Sequence, residues 1–266
     1  MAIFHSELYV HALHRKTRMV VILPVAYGSR DPVWDPEVPM KTAVLLHGHN
    51  CLETEWLNFS TIVDFATKYK MAILCPNLEN NFAIDDVRLN RRYEEMILEL
   101  LDLARKIFPL SKAREDTVIG GVSMGGYAAI RVGLRHPEIF GGVISYSSAL
   151  ITDKMMEREA HISNHAAPDT YYQYYFGDPQ KIEMSDFNPK FLARRQKEAG
   201  VKLPGVYVIC GDQDGMLKES VELHATFEEL GYRTNLLIGP GGHNWAFWNS
   251  TLDRSFEWIW QNTEKG

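Results

Sequence analysis

Short apolar runs alternate with amphipathic stretches along most of the chain, and this alternation restricts the possible folds more than any other feature. Runs such as 42–47 and 206–210 are almost entirely apolar, which is typical of strands covered on both faces. Longer stretches such as 90–108 place apolar residues every three or four positions, which predicts helices. Repeated strand–helix alternation indicates an α/β fold with a mostly parallel sheet and helices on both faces. No linker divides the 266 residues, so we predict a single domain over 1–266.

The same criteria assign bounds to the individual elements. Strands are predicted at 18–23, 42–47, 71–75, 117–122, 140–145, 206–210 and 234–238. Helices are predicted at 55–69, 90–108, 127–135, 219–230 and 245–262.

The segment 146–190 interrupts the alternation. It contains several prolines and five aromatic residues between positions 171 and 176. Long irregular segments in compact domains usually carry function. We therefore predict that 146–190 is a small cap-like insertion lying over the active-site face. It follows strand 6 of the fold, which is the strand predicted at 140–145. The alternative is a surface excursion that its own aromatic residues hold together.

Charge and cysteine content exclude several classes of partner. The net charge is −6 and like charges do not form long runs, which argues against nucleic acids and anionic membranes. The N-terminal residues lack a basic stretch followed by a long apolar run, so we expect a cytoplasmic protein. Three widely spaced cysteines do not suit a disulfide framework or a zinc site. We expect no cofactor, and the oligomeric state stays open, a homo-oligomer included.

The segment Gly121-Val122-Ser123-Met124-Gly125 matches the pattern G-x-S-x-G. It follows an apolar strand and opens a helix of small residues, which is the strand–turn–helix context that a nucleophilic serine requires. Side chains at Gly121 or Gly125 would collide with neighbouring backbone in so tight a turn. Ser123 is therefore the predicted nucleophile. The alternative is a glycine-rich helix start that Ser123 merely caps.

A serine hydroxyl needs a base, which an acid orients, and in this type of fold the order along the chain is serine, acid, histidine. Only His224 and His243 follow a suitable acid. His224 lies within a predicted helix, whereas His243 lies in a glycine-rich loop directly after a strand, so His243 is the predicted base. Asp212 and Asp214 both follow the strand 206–210, and spacing alone does not choose between them.

Two backbone N–H groups should form an oxyanion hole. One belongs to Met124, which follows the nucleophile, and the other is predicted at His49, in the loop after the strand 42–47. His47 and His49 form a His-x-His pair that could suggest a metal site. No further ligand stands at a recognisable spacing, so we predict no metal.

With these residues in place, the chain resembles the esterase D-like group of α/β-hydrolases. It is most similar to tributyrin esterases and small bacterial acetyl and feruloyl esterases, with S-formylglutathione hydrolases as more distant relatives. The resemblance spans nearly the whole chain and includes the opening strands, from Phe4 to Pro24, and these further residues: Leu45-Leu46-His47-Gly48, Trp56, Phe108-Pro109-Leu110-Ser111, Arg114-Glu115-Asp116-Thr117, Gly121-Val122-Ser123-Met124-Gly125-Gly126-Tyr127, Cys210-Gly211-Asp212-Gln213-Asp214 and Gly242-His243-Asn244-Trp245-Ala246-Phe247-Trp248.

The resemblance assigns the nucleophile to Ser123, the base to His243 and the acid to Asp214, the fourth position after Cys210. One departure lies after Gly48, where similar tributyrin esterases carry a small turn containing Gly or Ser. This chain has His49-Asn50-Cys51-Leu52 there, which implies a bulkier oxyanion loop.

Motif and resemblance together predict a serine carboxylesterase that hydrolyses short-chain or small aromatic acyl esters through an acyl-enzyme, with a small-molecule ester as its partner. Trp245 and Trp248 are predicted to wall the substrate pocket, although their i, i+3 spacing also suits core positions. One alternative is a thioesterase of the S-formylglutathione hydrolase type. Another is a non-catalytic binding module, against which the intact Ser, Asp and His positions argue.

Overall fold

The computed structural model describes residues 1–25, 35, 37–156 and 167–263, and within them an eight-stranded sheet is flanked by ten α-helices. The strands are β1 (Ala2–Val10), β2 (Arg15–Leu23), β3 (Lys41–Leu46), β4 (Met71–Pro76), β5 (Thr117–Val122), β6 (Gly142–Tyr146), β7 (Gly205–Gly211) and β8 (Thr234–Gly239). The helices are α1 (Glu55–Phe59), α2 (Ile62–Lys68), α3 (Tyr93–Ile107), α4 (Met124–Arg135), α5 (Ile151–Met156), α6 (Asp169–Phe176), α7 (Pro179–Ile182), α8 (Pro189–Glu198), α9 (Leu217–Glu229) and α10 (Trp245–Asn262).

The strand order is β1-β2-β4-β3-β5-β6-β7-β8. Strands β1 and β2 pair antiparallel, as do β2 and β4, and all later neighbours pair parallel. The predicted α/β-hydrolase architecture, a mostly parallel sheet with helices, is therefore confirmed. Because parallel strands end at the same edge, the loops after β3, β5, β7 and β8 meet at one edge of the sheet.

Alternating strand residues pack into two separate cores, one on each face of the sheet. In β2, for example, Met19 and Val21 belong to the core beneath α3, α4, α8 and α9. Val20 and Ile22 belong to the core beneath α1, α2 and α10. Burial on both faces explains why the central strands have nearly continuous apolar sequences.

Two predicted elements differ from the structure in more than the position of their ends. The helix predicted at 55–69 is divided into α1 and α2, because the hydroxyl of Ser60 donates to the carbonyl of Trp56 and accepts from the N–H of Ile62. Such local hydrogen bonds compete with those of a continuous helix. The segment 146–190, predicted to be irregular, is mainly helical in its described part, and its residues 157–166 lie outside the described residues.

Among the described helices, none is both long enough and apolar enough to cross a lipid bilayer.

A buried ionic cluster joins α3 to α4, the helix that begins directly after Ser123. The carboxylate of Glu94 lies 2.6 Å from Nη1 of Arg131, and 2.7 Å from both Nε of Arg135 and Nε2 of His136. Burial raises the pKa of Glu94, but the hydrogen bond from His136 and the two guanidinium charges outweigh it and lower the pKa to about 2. The cluster therefore stabilises the folded state as long as Glu94 is ionised.

We predict that Glu94→Gln lowers the free energy of unfolding by about 3 kcal/mol at neutral pH, because two cations lose their buried carboxylate. The folded-state pKa lies below the ordinary value of 4.5, so this contribution is complete above pH 4.5 and is lost as the pH falls toward 2. Urea unfolding of the two proteins across that interval should show their stabilities converging as the solution is acidified.

Glu95→Gln is the matched control, because Glu95, also on α3, makes an exposed ion pair with Arg92, which directly precedes the helix. An exposed pair contributes less than about 1 kcal/mol. A loss of equal size in the two variants would contradict the importance given to the buried cluster.

Candidate active site

Ser123 occupies a strained turn between β5 and α4, with φ 56° and ψ −116°. The turn is tight on both sides. A Cβ atom at Gly121 would lie 2.4 Å from the carbonyl oxygen of Gly125, and one at Gly125 would lie 2.4 Å from the carbonyl oxygen of Leu46. Both distances are far below van der Waals contact with backbone atoms, so only glycine fits at either position.

Within the described residues, the Ser123 side chain makes no capping hydrogen bond to α4, which disfavours a purely structural N-cap role. Its backbone N–H donates to the carbonyl of Tyr146 at 2.9 Å, and its carbonyl accepts from Ala149 at 3.0 Å. These bonds anchor the serine to the end of β6, and Ser123 lines the neighbouring cavity.

His243 and Asp214 form a hydrogen-bonded pair at the same edge of the sheet. Nδ1 of His243 lies 3.0 Å from Oδ2 of Asp214 and 3.2 Å from Oδ1. The Asp214 side chain is 1% exposed and that of His243 is 39% exposed. Burial raises the pKa of Asp214, but hydrogen bonds from His243 and Ser147 outweigh it, so the pKa lies below its ordinary value and the carboxylate is charged at neutral pH.

Asp212, the other candidate acid, contacts backbone instead of histidine. Its Oδ1 accepts from the N–H of Gly241 at 3.1 Å, and its own N–H donates to the carbonyl of Gly239 at 2.8 Å. Asp212 thus fastens the loop that leads to His243. The two aspartates that sequence spacing could not separate have distinct surroundings, and Asp214 is the one that meets the imidazole.

Ser147 extends the pair into a longer chain of hydrogen bonds. Its hydroxyl accepts from Nε1 of Trp248 at 2.9 Å and hydrogen-bonds to Asp214. Ser147 has φ 48°, a left-handed conformation that is uncommon outside glycine. The strained turn brings the hydroxyl from the end of β6 to the carboxylate, so Trp248, Ser147, Asp214 and His243 are connected in sequence.

The sequence predicted Trp245 and Trp248 in the wall of the substrate pocket, but neither is among the described residues that line the cavity at Ser123. Trp248 is 5% exposed and meets the His243 ring edge to face, with centroids 5.2 Å apart. Trp245 packs on Trp56, with centroids 5.1 Å apart, and stacks on Phe59. Their i, i+3 spacing therefore reflects packing into the core beneath α1, α2 and α10, the alternative noted from the sequence.

The cavity at Ser123 measures about 480 Å³. Ser123, Asp214 and His243 lie in its wall together with His49 and Lys154. The rest of the wall is mainly apolar, comprising Phe82, Ala149, Ile151, Tyr172, Gly215 and Met216. A small, largely apolar cavity with a few convergent polar groups is typical of a site for small molecules.

The loop after β3 brings His49 to this cavity, and His47 fixes the backbone between them. Nε2 of His47 accepts from the N–H of Leu78 at 2.9 Å, so the proton lies on Nδ1, which donates to the carbonyl of Gly48 at 2.8 Å. The carbonyl and N–H of one trans peptide point in opposite directions, so this bond turns the N–H of His49 away from the His47 ring. Gly48 adjoins the nucleophile, since a Cβ atom there would lie 3.6 Å from Cβ of Ser123.

Both ring nitrogens of His47 bond to backbone, so this histidine offers no lone pair to a metal ion. Burial lowers the pKa of His47, which keeps the ring neutral. Over the described part of the chain, no cluster of three or more His, Cys, Asp or Glu side chains has metal-binding geometry.

Helix α6, from the segment 146–190, covers one side of the cavity. Tyr172 contributes to the cavity wall. The hydroxyl of Tyr171 donates to the carbonyl of Asn80 and lies 3.2 Å from Nε2 of His49. The aromatic residues noted in the sequence therefore connect α6 to the loop that carries His49.

Sequence reasoning missed Ser147, the positioning role of His47 and the cavity residues Phe82 and Lys154. Ser147 stands two residues beyond Ser145, which pairs with Val208 in β7, and only this register brings it beside the turn that carries Asp214. The apolar sequences predict the strands themselves, but they specify neither this register nor where the hydroxyl points.

Solved structures with the same fold include known hydrolases. An S-formylglutathione hydrolase from Staphylococcus aureus matches with a TM-score of 0.82 at 24% identity, covering 97% of this chain and 98% of that chain. A ferulic acid esterase matches with a TM-score of 0.78 at 20% identity, covering 99% and 98% respectively. The protein therefore has the α/β-hydrolase fold.

Sequence comparison identifies the family to which the chain belongs. A family model described as putative esterase matches residues 10–259. An acetyl esterase from Caldicellulosiruptor saccharolyticus is 34% identical over 263 residues, which cover 97% of this chain and 98% of that protein. The chain belongs to this esterase family and is a carboxylic ester hydrolase, as the sequence predicted.

We predict that Ser147→Ala lowers kcat about tenfold and leaves KM nearly unchanged, because a hydrogen bond to a charged group contributes about 1.5–3 kcal/mol. The loss should fall on kcat because Ser147 hydrogen-bonds to Asp214 and is not among the described residues that line the cavity. Steady-state kinetics on a short-chain 4-nitrophenyl ester measure both constants.

The control is Ser255→Ala, since Ser255 is also buried but bonds to the hydroxyl of Tyr146. Ser147→Thr should recover part of the lost rate by restoring a hydroxyl. Full activity in Ser147→Ala would show that Asp214 does not need the hydroxyl of Ser147.

Proposed function

We propose that this protein is a serine carboxylesterase that hydrolyses short-chain or small aromatic acyl esters, with Ser123, His243 and Asp214 as its catalytic triad. The observation that carries the proposal is the buried Asp214, bonded to His243 at 3.0 Å, beside the same cavity as the strained Ser123. The three residues come from loops at one edge of the sheet, in the chain order typical of this fold.

In the proposed reaction, His243 takes the proton of Ser123 as the hydroxyl attacks the ester carbonyl. The tetrahedral intermediate collapses when His243 returns the proton to the leaving alcohol, which leaves an acyl-enzyme. Water then attacks the acyl-enzyme with His243 as base again, and the acid is released. Asp214 holds the imidazole in the required tautomer and stabilises its charged form.

The negative charge on the former carbonyl oxygen needs preorganised donors. We assign them to the backbone N–H groups of Met124 and His49. Met124 is the first residue of α4, where helix N–H groups have no partner within the helix. The bond from His47 to the carbonyl of Gly48 supports the second assignment, because it fixes the orientation of the peptide that carries the His49 N–H.

The size and lining of the cavity support small substrates. Its 480 Å³ lies in the lower half of the range for ligand sites, about 300–1,000 Å³. Phe82, Tyr172 and Met216 provide its apolar wall in place of the two tryptophans predicted from the sequence. Aromatic side chains in the wall suit a short acyl chain or a small aryl group.

We predict that Asp214→Asn lowers kcat by about 10⁴, whereas Asp212→Asn mainly lowers stability. Asn at 214 loses the charge that balances a protonated His243, while Asn at 212 can still accept from Gly241. Ser123→Ala should abolish both ester hydrolysis and labelling by a fluorophosphonate probe. The triad would have to be reassigned if Asp212→Asn were the more damaging change, or if Ser123→Ala were still labelled.

We predict a maximum of kcat/KM at acyl chains of a few carbons, followed by a steep fall. Each methylene that fits gains about 0.8 kcal/mol, whereas overpacking costs about 1–3 kcal/mol. Rates on 4-nitrophenyl esters from acetate to palmitate measure the profile. A preference for the longest chains, or a jump in rate on emulsified substrate, would instead indicate a lipase.

A further inference from the structure

Lys154 brings a positive charge into the wall of the cavity that contains Ser123 and His243. It lies on α5, three residues after Ile151, so the two side chains share one helix face, and both line the cavity. The Lys154 side chain is only 18% exposed, so its ammonium group is partly removed from water.

Within the described residues, Lys154 makes one ion pair, with Glu219, and this pair is long. Nζ of Lys154 lies 3.9 Å from Oε1 of Glu219, too far for a hydrogen bond. Lys190 has nearly the same exposure, 19%, but lies 2.9 Å from Asp153 and 3.0 Å from Glu222. Lys190 is thus paired at close range, whereas no described carboxylate lies within hydrogen-bond distance of Lys154.

The other ionisable groups of the cavity do not compete for Lys154. The charge of Asp214 is held by His243, Ser147 and the N–H of Met216, which donates at 2.9 Å. Burial lowers the pKa of His49, which keeps that ring neutral. Among its described lining residues, the cavity therefore presents one lysine ammonium group, whose ion pair with Glu219 is too long for a hydrogen bond. In these apolar surroundings an ion pair with a ligand is stronger than in water.

We propose that Lys154 selects ester substrates that carry a carboxylate, on either the acyl or the alcohol part. This inference rests on the proposed function, because it takes Ser123 as the nucleophile in the shared cavity. Lys154 acts here as a specificity-determining residue that pairs with the substrate anion.

Two pairs of esters test the proposal, each matched in shape and differing in charge. On the alcohol side, 4-acetoxybenzoate is compared with 4-acetoxybenzamide. On the acyl side, the mono-4-nitrophenyl ester of adipic acid is compared with its methyl ester. The quantity measured is the ratio of kcat/KM for the anionic ester to that for its neutral partner, so losses common to both esters cancel.

We expect Lys154→Met to lower this ratio about tenfold in at least one pair, mainly through KM, because the ion pair forms with bound substrate. The pair that responds identifies which part of the substrate reaches Lys154. Lys154→Arg should retain most of the preference, and Lys190→Met should leave the ratio unchanged. Lys154→Gln serves in place of the methionine variant if the latter does not fold.

An unchanged ratio in both pairs, or an equal fall in Lys190→Met, would overturn the proposal. Neither outcome would affect the proposed function, which depends on hydrolysis of the neutral esters and its loss in Ser123→Ala. Conversely, neutral-ester hydrolysis that survived Ser123→Ala would overturn the proposed function whatever the ratio.

Discussion

The contact between Gly125 and the end of β3 is the constraint on which the active-site edge depends. A side chain at Gly125 would lie 2.4 Å from the carbonyl oxygen of Leu46, so the start of α4 can approach β3 only because glycine stands there. This approach forces Ser123 into φ 56° and sets Gly48 beside it. The strain is balanced by backbone bonds from Ser123 to the end of β6, and by the buried Glu94 cluster that holds α4 against α3.

The sheet brings together site residues that are remote in sequence. Strand β5 delivers Ser123, β7 delivers Asp214 and β8 delivers His243, while the turn after β6 adds Ser147. Backbone bonds to Tyr146 and Ile209 fix Ser123 and Ser147 to neighbouring strands, and His243 is held by its bond to Asp214. Tyr172 and Lys154 of the cavity wall come instead from the segment after β6.

Much of the fold and part of the site could be predicted from sequence. Strand 117–122 and helix 245–262 have their predicted bounds, because apolar periodicity is strong there and turn residues flank both. Periodicity failed at 55–69, where Ser60 hydrogen bonds divide a helix whose apolar pattern continues unbroken. Ser147, and the positions of Trp245 and Trp248, depend on register and packing between distant segments, and neither has a local sequence signal.

Strand β8 is an edge strand, and it is less buried than β7, which is buried along its whole length. It nevertheless carries the loop with His243, and that loop is tied back mainly through Asp212 and Asp214. Edge elements with exposed backbone bonds open at lower free-energy cost than central strands. Heating should therefore detach the imidazole from its partners before either hydrophobic core is exposed, so thermal inactivation begins in a molecule that is still largely folded.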